Sequence, residues 1–355
     1  MIFFVNLLFL AAGGIACSRM ADEKKGRVLF ALMAFTSMFL IAIFAYDSSA
    51  DYRSYETKFY SIGRTGLLES FKWSHFEFGF IIFNYIVHCI FGSYEVLLMI
   101  CALVTYALIC YFAVQHTSHP FFFIYLYCTM SYFYNSINMI RQMLALAITL
   151  AGYKYIKERK LIKFLALVLL ASSLHATALI LIPLYFLVNI KITPKVVAVV
   201  LAAVFVAYML FDVLLTIGVK IYPKYEIYLY KPEYNTGYSV TAFFVPGIFF
   251  IIILFFRKRL LALDPDNNIA VNMYMISFVL TLFIVTKFGI LDRFLAYPEI
   301  YLTVCLPQII DCVKTKEQKW IVGAAIIIIG LVMSINLFMK GYYSIYPYRS
   351  LFGTI

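Results

Sequence analysis

The sequence predicts an all-α polytopic membrane protein, on three observations. Apolar runs close to the length of a bilayer crossing recur from end to end, among them residues 196–210, 243–256 and 321–338. The chain is 64% hydrophobic and only 13% charged, where a soluble domain is about one quarter charged. The basic residues gather in short clusters between the apolar runs, at 19–27, 154–163, 191–195, 257–259 and 314–319, which is the composition of cytoplasmic loops. The 355 residues therefore read as a single integral membrane domain, 1–355, with no sizeable soluble domain. The net charge of +11 is distributed as loop clusters. It favours anionic lipid headgroups, so membrane lipids are expected partners and nucleic acid is not.

Placing every basic cluster on the inner side orders the elements. The start, MIFFVNLLFLAAGG, has no basic residue before its apolar run and several after it. It reads as an uncleaved first span, 2–18, with its N-terminus outside. Spans are expected near 27–45, 94–114, 119–137, 139–156, 161–174, 176–190, 195–217, 240–256, 268–287, 291–312 and 319–340, about 12 in all. The parity closes only if 76–92, which carries Glu77, Asn84 and His88, does not cross fully. That segment reads as re-entrant or interfacial. The outer loops fall at about 46–75 and 218–239. The two segments flanking His175 are short, and a break at SSLHAT would indicate a cavity, because irregular backbone at membrane depth is tolerated only where protein or a cavity surrounds it.

This topology puts Asp51, Glu77, Arg141, His175, Arg293 and Arg349 outside or in the outer half of the membrane. Arg141 sits in NSINMIRQMLALAI, where positions 138, 141 and 142 share one helix face with 135 close by. Asn138, Arg141 and Gln142 thus form a polar face that should point into the bundle or a water-filled cavity. The alternative is an interfacial arginine reaching lipid phosphate. Arg293 has Tyr297 and Tyr301 one and two turns on, with Asp292 beside it as a ready ion-pair partner. Arg349 follows the last span, where an arginine carries little cost. Asp51 belongs to a stretch that reads by default as a solvated loop. His175 stands in the deeper apolar region, where a lone histidine is more often a hydrogen-bonded core residue.

Other features point to little chemistry. The seven cysteines form no CxxC and read as small core residues. His116 and His119 lack further ligands nearby, so no metal site is expected. The DPD at 264–266 reads as a turn. No phosphate-binding glycine loop or nucleophile elbow is present, and no cofactor is expected. The tyrosines Tyr222, Tyr225, Tyr228, Tyr230, Tyr234 and Tyr238 make an outer loop that suits either a membrane surface or sugar rings.

Six motifs in order, DYRSY, FEFGFIIFNYI, IRQMLALAI, LHATALILIPLY, RFLAY and a terminal PYR, together resemble the EpsG family of Wzy-type bacterial polysaccharide polymerases. The likeness runs from about Asp51 to Arg349. Phe78 stands where the family pattern often has proline. The resemblance implies an architecture similar to the C-type glycosyltransferases, with a membrane-embedded site facing the periplasm or cell exterior from the bacterial inner membrane. It implies that a growing chain leaves undecaprenyl diphosphate for the sugar end of a new lipid-linked unit, and it admits a chain-length regulator as partner. On this reading Arg141 and Arg293 hold the diphosphate, with Arg349 accessory, because a guanidinium stays charged and matches phosphate oxygens. Tyr52, Tyr55, Asn138, Gln142 and Tyr297 complete the substrate side. The base for the acceptor hydroxyl is Asp51, Glu77 or His175. The competing readings are a ligase-like transferase, for which the outer loops are short, and a lipid-linked oligosaccharide transporter, for which no internal repeat is visible.

Overall fold

The computed structural model describes residues 2–221, 226, 240–287, 291–341, 345, 348–350 and 352–354. The tyrosine-rich loop lies outside the described residues. The described chain is helical apart from one two-stranded antiparallel pair, Arg349–Ser350 with Gly353–Thr354. It divides into two units. The first comprises Met1–Leu179 and Leu306–Ile355, and the second comprises Ile180–Cys305.

In the first unit the helices are α1 (Ile2–Ser18), α2 (Glu23–Ile43), α3 (Tyr52–Thr65), α4 (Leu67–Trp73), α5 (Phe78–Phe91), α6 (Tyr94–His116), α7 (Pro120–Thr129), α8 (Tyr132–Asn138), α9 (Ile140–Ala151), α10 (Tyr153–Lys157) and α11 (Leu161–Leu174), with a further helix Lys316–Met339. Helix α2 packs against α1 and α6, and α9 lies between α6 and α11. Their ends are fixed by local chemistry. Asp22 accepts from the Lys25 backbone N–H to cap α2, and Ser93 accepts from that of Val96 to cap α6. Thr315 and Gln318 form a capping box at the start of Lys316–Met339. At the far end of α6 the Arg27 guanidinium donates to the carbonyls of Val114, at 2.8 Å, and Thr117, at 2.5 Å. A basic side chain there satisfies acceptors that no further helical turn would reach.

Among the described residues four helices are long and apolar enough to cross a membrane, namely Glu23–Ile43, Tyr94–His116, Asn267–Thr286 and Lys316–Met339, or five with the bent pair Ala198–Met209 and Phe211–Ile221. Several expected continuous spans are instead interrupted. The 119–137 segment breaks at Ser131, whose φ of 75° is left-handed and ends α7. The 139–156 segment breaks at Gly152, between α9 and α10. The 195–217 segment bends by 74° at Leu210. The 291–312 segment is split into Asp292–Glu299, Leu302–Gln308 and a 3-10 turn, with Pro298 and Pro307 inside the two helices.

The stretch after α2 departs most from expectation. The residues from Tyr52 to Trp73 are not a solvated loop but α3 and α4. Tyr52, Tyr55, Phe59 and Ile62 recur at helical spacing and are buried. They pack with Phe76, Phe80, Ile81, Tyr94, Ile140 and Leu144 into one apolar cluster. Close approach of α3 to α5 requires Gly63, because a Cβ there would stand 2.3 Å from the His88 ring. Helix α5 has 14 residues. At 1.5 Å per residue that is about 21 Å, short of a full crossing.

In the second unit Asn267–Thr286 packs against Phe244–Leu263 and against Asp292–Glu299. Asn272 donates from one amide to the carbonyls of Val188 and Ile190, at 2.9 and 3.0 Å, closing the end of the helix Leu181–Leu187.

Candidate functional site

Four interruptions of the first unit's backbone meet at one place. Glu77 is the residue before α5, with extended backbone (φ −68°, ψ 150°), and its side chain does not cap its own helix. Arg141 is in the first turn of α9, just past the break at Met139 that separates α8 from α9. His175 ends α11 with extended backbone (φ −154°, ψ 113°), so the chain does break within SSLHAT. Asp51 precedes α3.

The Glu77 carboxylate joins these segments. One oxygen, Oε2, pairs with Arg141 Nη1. The other, Oε1, accepts from the Ala176 backbone N–H at 3.1 Å and lies 3.6 Å from His175 Nδ1. Side-chain exposure is 17% for Arg141, 10% for Glu77 and 7% for His175. An ion pair this withdrawn from water is held by its hydrogen bonds as much as by its charges. Gly79 makes the approach of α11 possible, because a Cβ there would stand 2.3 Å from Ser173 Oγ and 2.8 Å from the Ser173 carbonyl.

Aromatic faces line the cation. The Arg141 guanidinium carbon lies 4.4 Å from the Phe76 ring centroid, 5.6 Å from that of Tyr55 and 5.7 Å from that of Phe80. Its Nε donates to the Tyr55 hydroxyl at 3.1 Å, and the Tyr55 and Phe76 rings stack at 5.4 Å. Burial pushes the Tyr55 phenol pKa up against the pull of Arg141, so it stays protonated. Asn138 Oδ1 accepts from the Asp51 backbone N–H at 3.1 Å and ties the start of α3 to the end of α8. Gln142 is buried beside Arg141. The Tyr52 hydroxyl is buried with no hydrogen-bond partner among the described residues, and Tyr52 borders a cavity of about 20 Å³ with Thr105, Tyr106 and Ser136.

Two other expected site residues belong to different segments. Arg349 is 57% exposed in its side chain and lies 3.6 Å from Asp47. Its carbonyl accepts from Tyr46 N–H, and the neighbouring Tyr348 hydroxyl donates to the Ile41 carbonyl, so the terminal segment is fastened to the end of α2. Arg293 belongs to the second unit, in the first turn of Asp292–Glu299, where Tyr297 is buried. At the DPD, Asp264 Oδ1 accepts from the Asp266 N–H at 2.9 Å, which is a local turn leading into Asn267–Thr286.

One residue was missed by sequence reasoning. Lys58 Nζ lies 4.7 Å from the centroid of the same Phe76 ring that faces Arg141. The signal was present: Asp51, Tyr55 and Lys58 are spaced i, i+4, i+7, one face of one helix. It is legible only once 52–65 is known to be helical.

A buried ion pair with an adjacent histidine, set where helices end in an apolar bundle, defines a membrane protein with a polar site inside it. The chain belongs to the EpsG family, whose profile matches residues 28–350, and so to the Wzy-like polysaccharide polymerases of bacterial membranes. No curated protein and no solved structure matches it.

Proposed function

We propose that this protein joins undecaprenyl-diphosphate-linked oligosaccharide repeat units at the outer face of the bacterial inner membrane, transferring the growing chain onto a new lipid-linked unit. The Arg141–Glu77–His175 cluster in a chain of the polymerase family carries the reading. A lipid donor presents its diphosphate at membrane depth, which gives a reason for a guanidinium there. The acceptor hydroxyl oxygen bonds to the anomeric carbon as the bond from that carbon to the phosphate oxygen breaks. Charge then grows on the departing diphosphate, and Arg141, already oriented by Glu77 and Tyr55, stabilises it without rearrangement.

Among the three candidate bases the geometry favours His175. Both Glu77 oxygens are engaged, one by Arg141 and one by the Ala176 N–H. Glu77 Oε1 faces His175 Nδ1, so Nε2 is the nitrogen that takes the acceptor proton, and Glu77 steadies the imidazolium that results. About 12 crossings and an architecture like the C-type glycosyltransferases go with this reading. The broken helices around Ser131, Met139 and His175 support it, as irregular backbone belongs beside a cavity within the protein. Lipid-linked donor and acceptor, membrane lipids and a chain-length regulator are the partners.

The test is the length distribution of the surface glycan, run as a gel ladder from a deletion strain carrying wild type or Arg141→Ala. The expected outcome is collapse to single repeats in the deletion, restored by wild type but not by Arg141→Ala present at equal level. A ladder that persists on lipid carrier but stays unattached would favour a ligase. A ladder unchanged by the deletion would exclude both.

A further inference from the structure

Lys58 has no place in the chemistry above, yet it is the second cation at the same ring. Its ammonium is 4.7 Å and the Arg141 guanidinium 4.4 Å from the Phe76 centroid. Among the described residues Lys58 makes no ion pair and no hydrogen bond. Two other cations of this region are held by acids. Arg53, one turn earlier on α3, is held by Asp47 and Glu56 at 3.0 and 2.9 Å, and Lys72 by Glu69 at 2.8 Å. Lys58 is half-buried, where a long side chain would ordinarily carry its charge out to water. Burial and the nearby Arg141 both push its pKa down, and the pull of Asp51 does not offset them. The charged form is thus held where the protein itself disfavours it, a condition that a bound anion would relieve.

We propose that Lys58 is a diphosphate-binding residue, its ammonium and the Arg141 guanidinium taking the two phosphates of the lipid-linked donor beside the Phe76 ring they both approach. The proposal rests on the polymerase reading for the donor's identity, but its binding chemistry requires only a diphosphate. An Arg and a Lys suit that ligand together: the guanidinium donates to one phosphate, and the ammonium acts as a point charge on the other.

The experiment uses the full chain in lipid nanodiscs, with inorganic pyrophosphate as the probe and sulfate as the control, read by calorimetry and by thermal unfolding. Lys58→Met keeps the apolar stem and removes the charge, Lys58→Arg keeps a charge, and Lys58→Gln replaces Lys58→Met if the latter is not monodisperse. Pyrophosphate affinity is expected to fall about tenfold or more in Lys58→Met, the loss of one charge-assisted contact, and to recover in Lys58→Arg. Without pyrophosphate, Lys58→Met should unfold no earlier than wild type, which a merely structural lysine would not allow. Equal affinity in wild type and Lys58→Met overturns the proposal. So does failure of Lys58→Arg to recover binding, or a wild type that binds pyrophosphate no better than sulfate. Failure of the polymerase reading is seen separately, as an unchanged glycan ladder in the deletion strain with the pyrophosphate result intact.

Discussion

The first unit holds two groups of charge that solve opposite problems. At the end of α6, Arg27 serves backbone carbonyls, and the nearby His119–Asp311 pair is open to solvent, with side chains 24% and 36% exposed. Around Phe76, Arg141, Glu77 and His175 are each less exposed, at 17%, 10% and 7%, and a backbone group, the Ala176 N–H, enters only to complete the carboxylate. The first group finishes a helix and needs no ligand to explain it. The second gathers side chains from the start of α5, the first turn of α9 and the end of α11. Charge that closes a chain end is structural, whereas charge withdrawn from water and turned toward other charge implies chemistry.

The strongest challenge to that contrast is the buried pair. Arg141→Ala or Glu77→Ala alone leaves its partner's charge in the bundle and should lower unfolding stability by about 3–5 kcal/mol. The double variant Glu77→Leu/Arg141→Met should regain much of the loss, while the glycan ladder stays absent in all three. Additive losses on thermal or denaturant unfolding would mean that the pair is not coupled. A smaller effect is expected of Gly79→Ala, whose Cβ would overlap Ser173. Pushing α11 back should cost about 1–3 kcal/mol, as overpacking does, and shorten the ladder by moving His175 from Glu77. If stability falls but chain length holds, the spacing of His175 from Glu77 is not critical. The least effect belongs to Arg27→Met, which removes a cation from a helix end at about 0.3–1 kcal/mol and should leave the ladder unchanged. A lost ladder at normal protein level would erase the distinction between the two groups.

Arg141, Glu77 and His175 were each legible in the sequence for a different reason. The first is a charge inside an apolar helix, the second sits in a segment that fitted no span, and the third in a segment too short to be one. Their meeting was not legible, because it depends on helices being broken at positions that neither proline nor glycine marks. Ser131 adopts a left-handed backbone and Met139 separates α8 from α9 with no local signal in either residue. Helix α3 was hidden differently. Its charged face gave 52–65 the composition of a loop, although the spacing of Tyr52, Tyr55, Phe59 and Ile62 already described a buried stripe. Lys58 followed it out of view, since its helix face was the only sign of its role.

The Glu77 carboxylate also sets a schedule for biogenesis. Its partners lie later in the chain, Arg141 by 64 residues and the Ala176 nitrogen by 99. As synthesis runs from the N-terminus, α5 enters the membrane region with an acid that nothing yet neutralises, and α9 brings the matching cation only afterwards. Until α11 has been threaded and its end has turned at His175, the pair lacks its third anchor. A nascent chain arrested before Leu161 would carry that half-built pair exposed to lipid, the kind of defect by which a quality-control protease tells an unfinished membrane protein from a finished one.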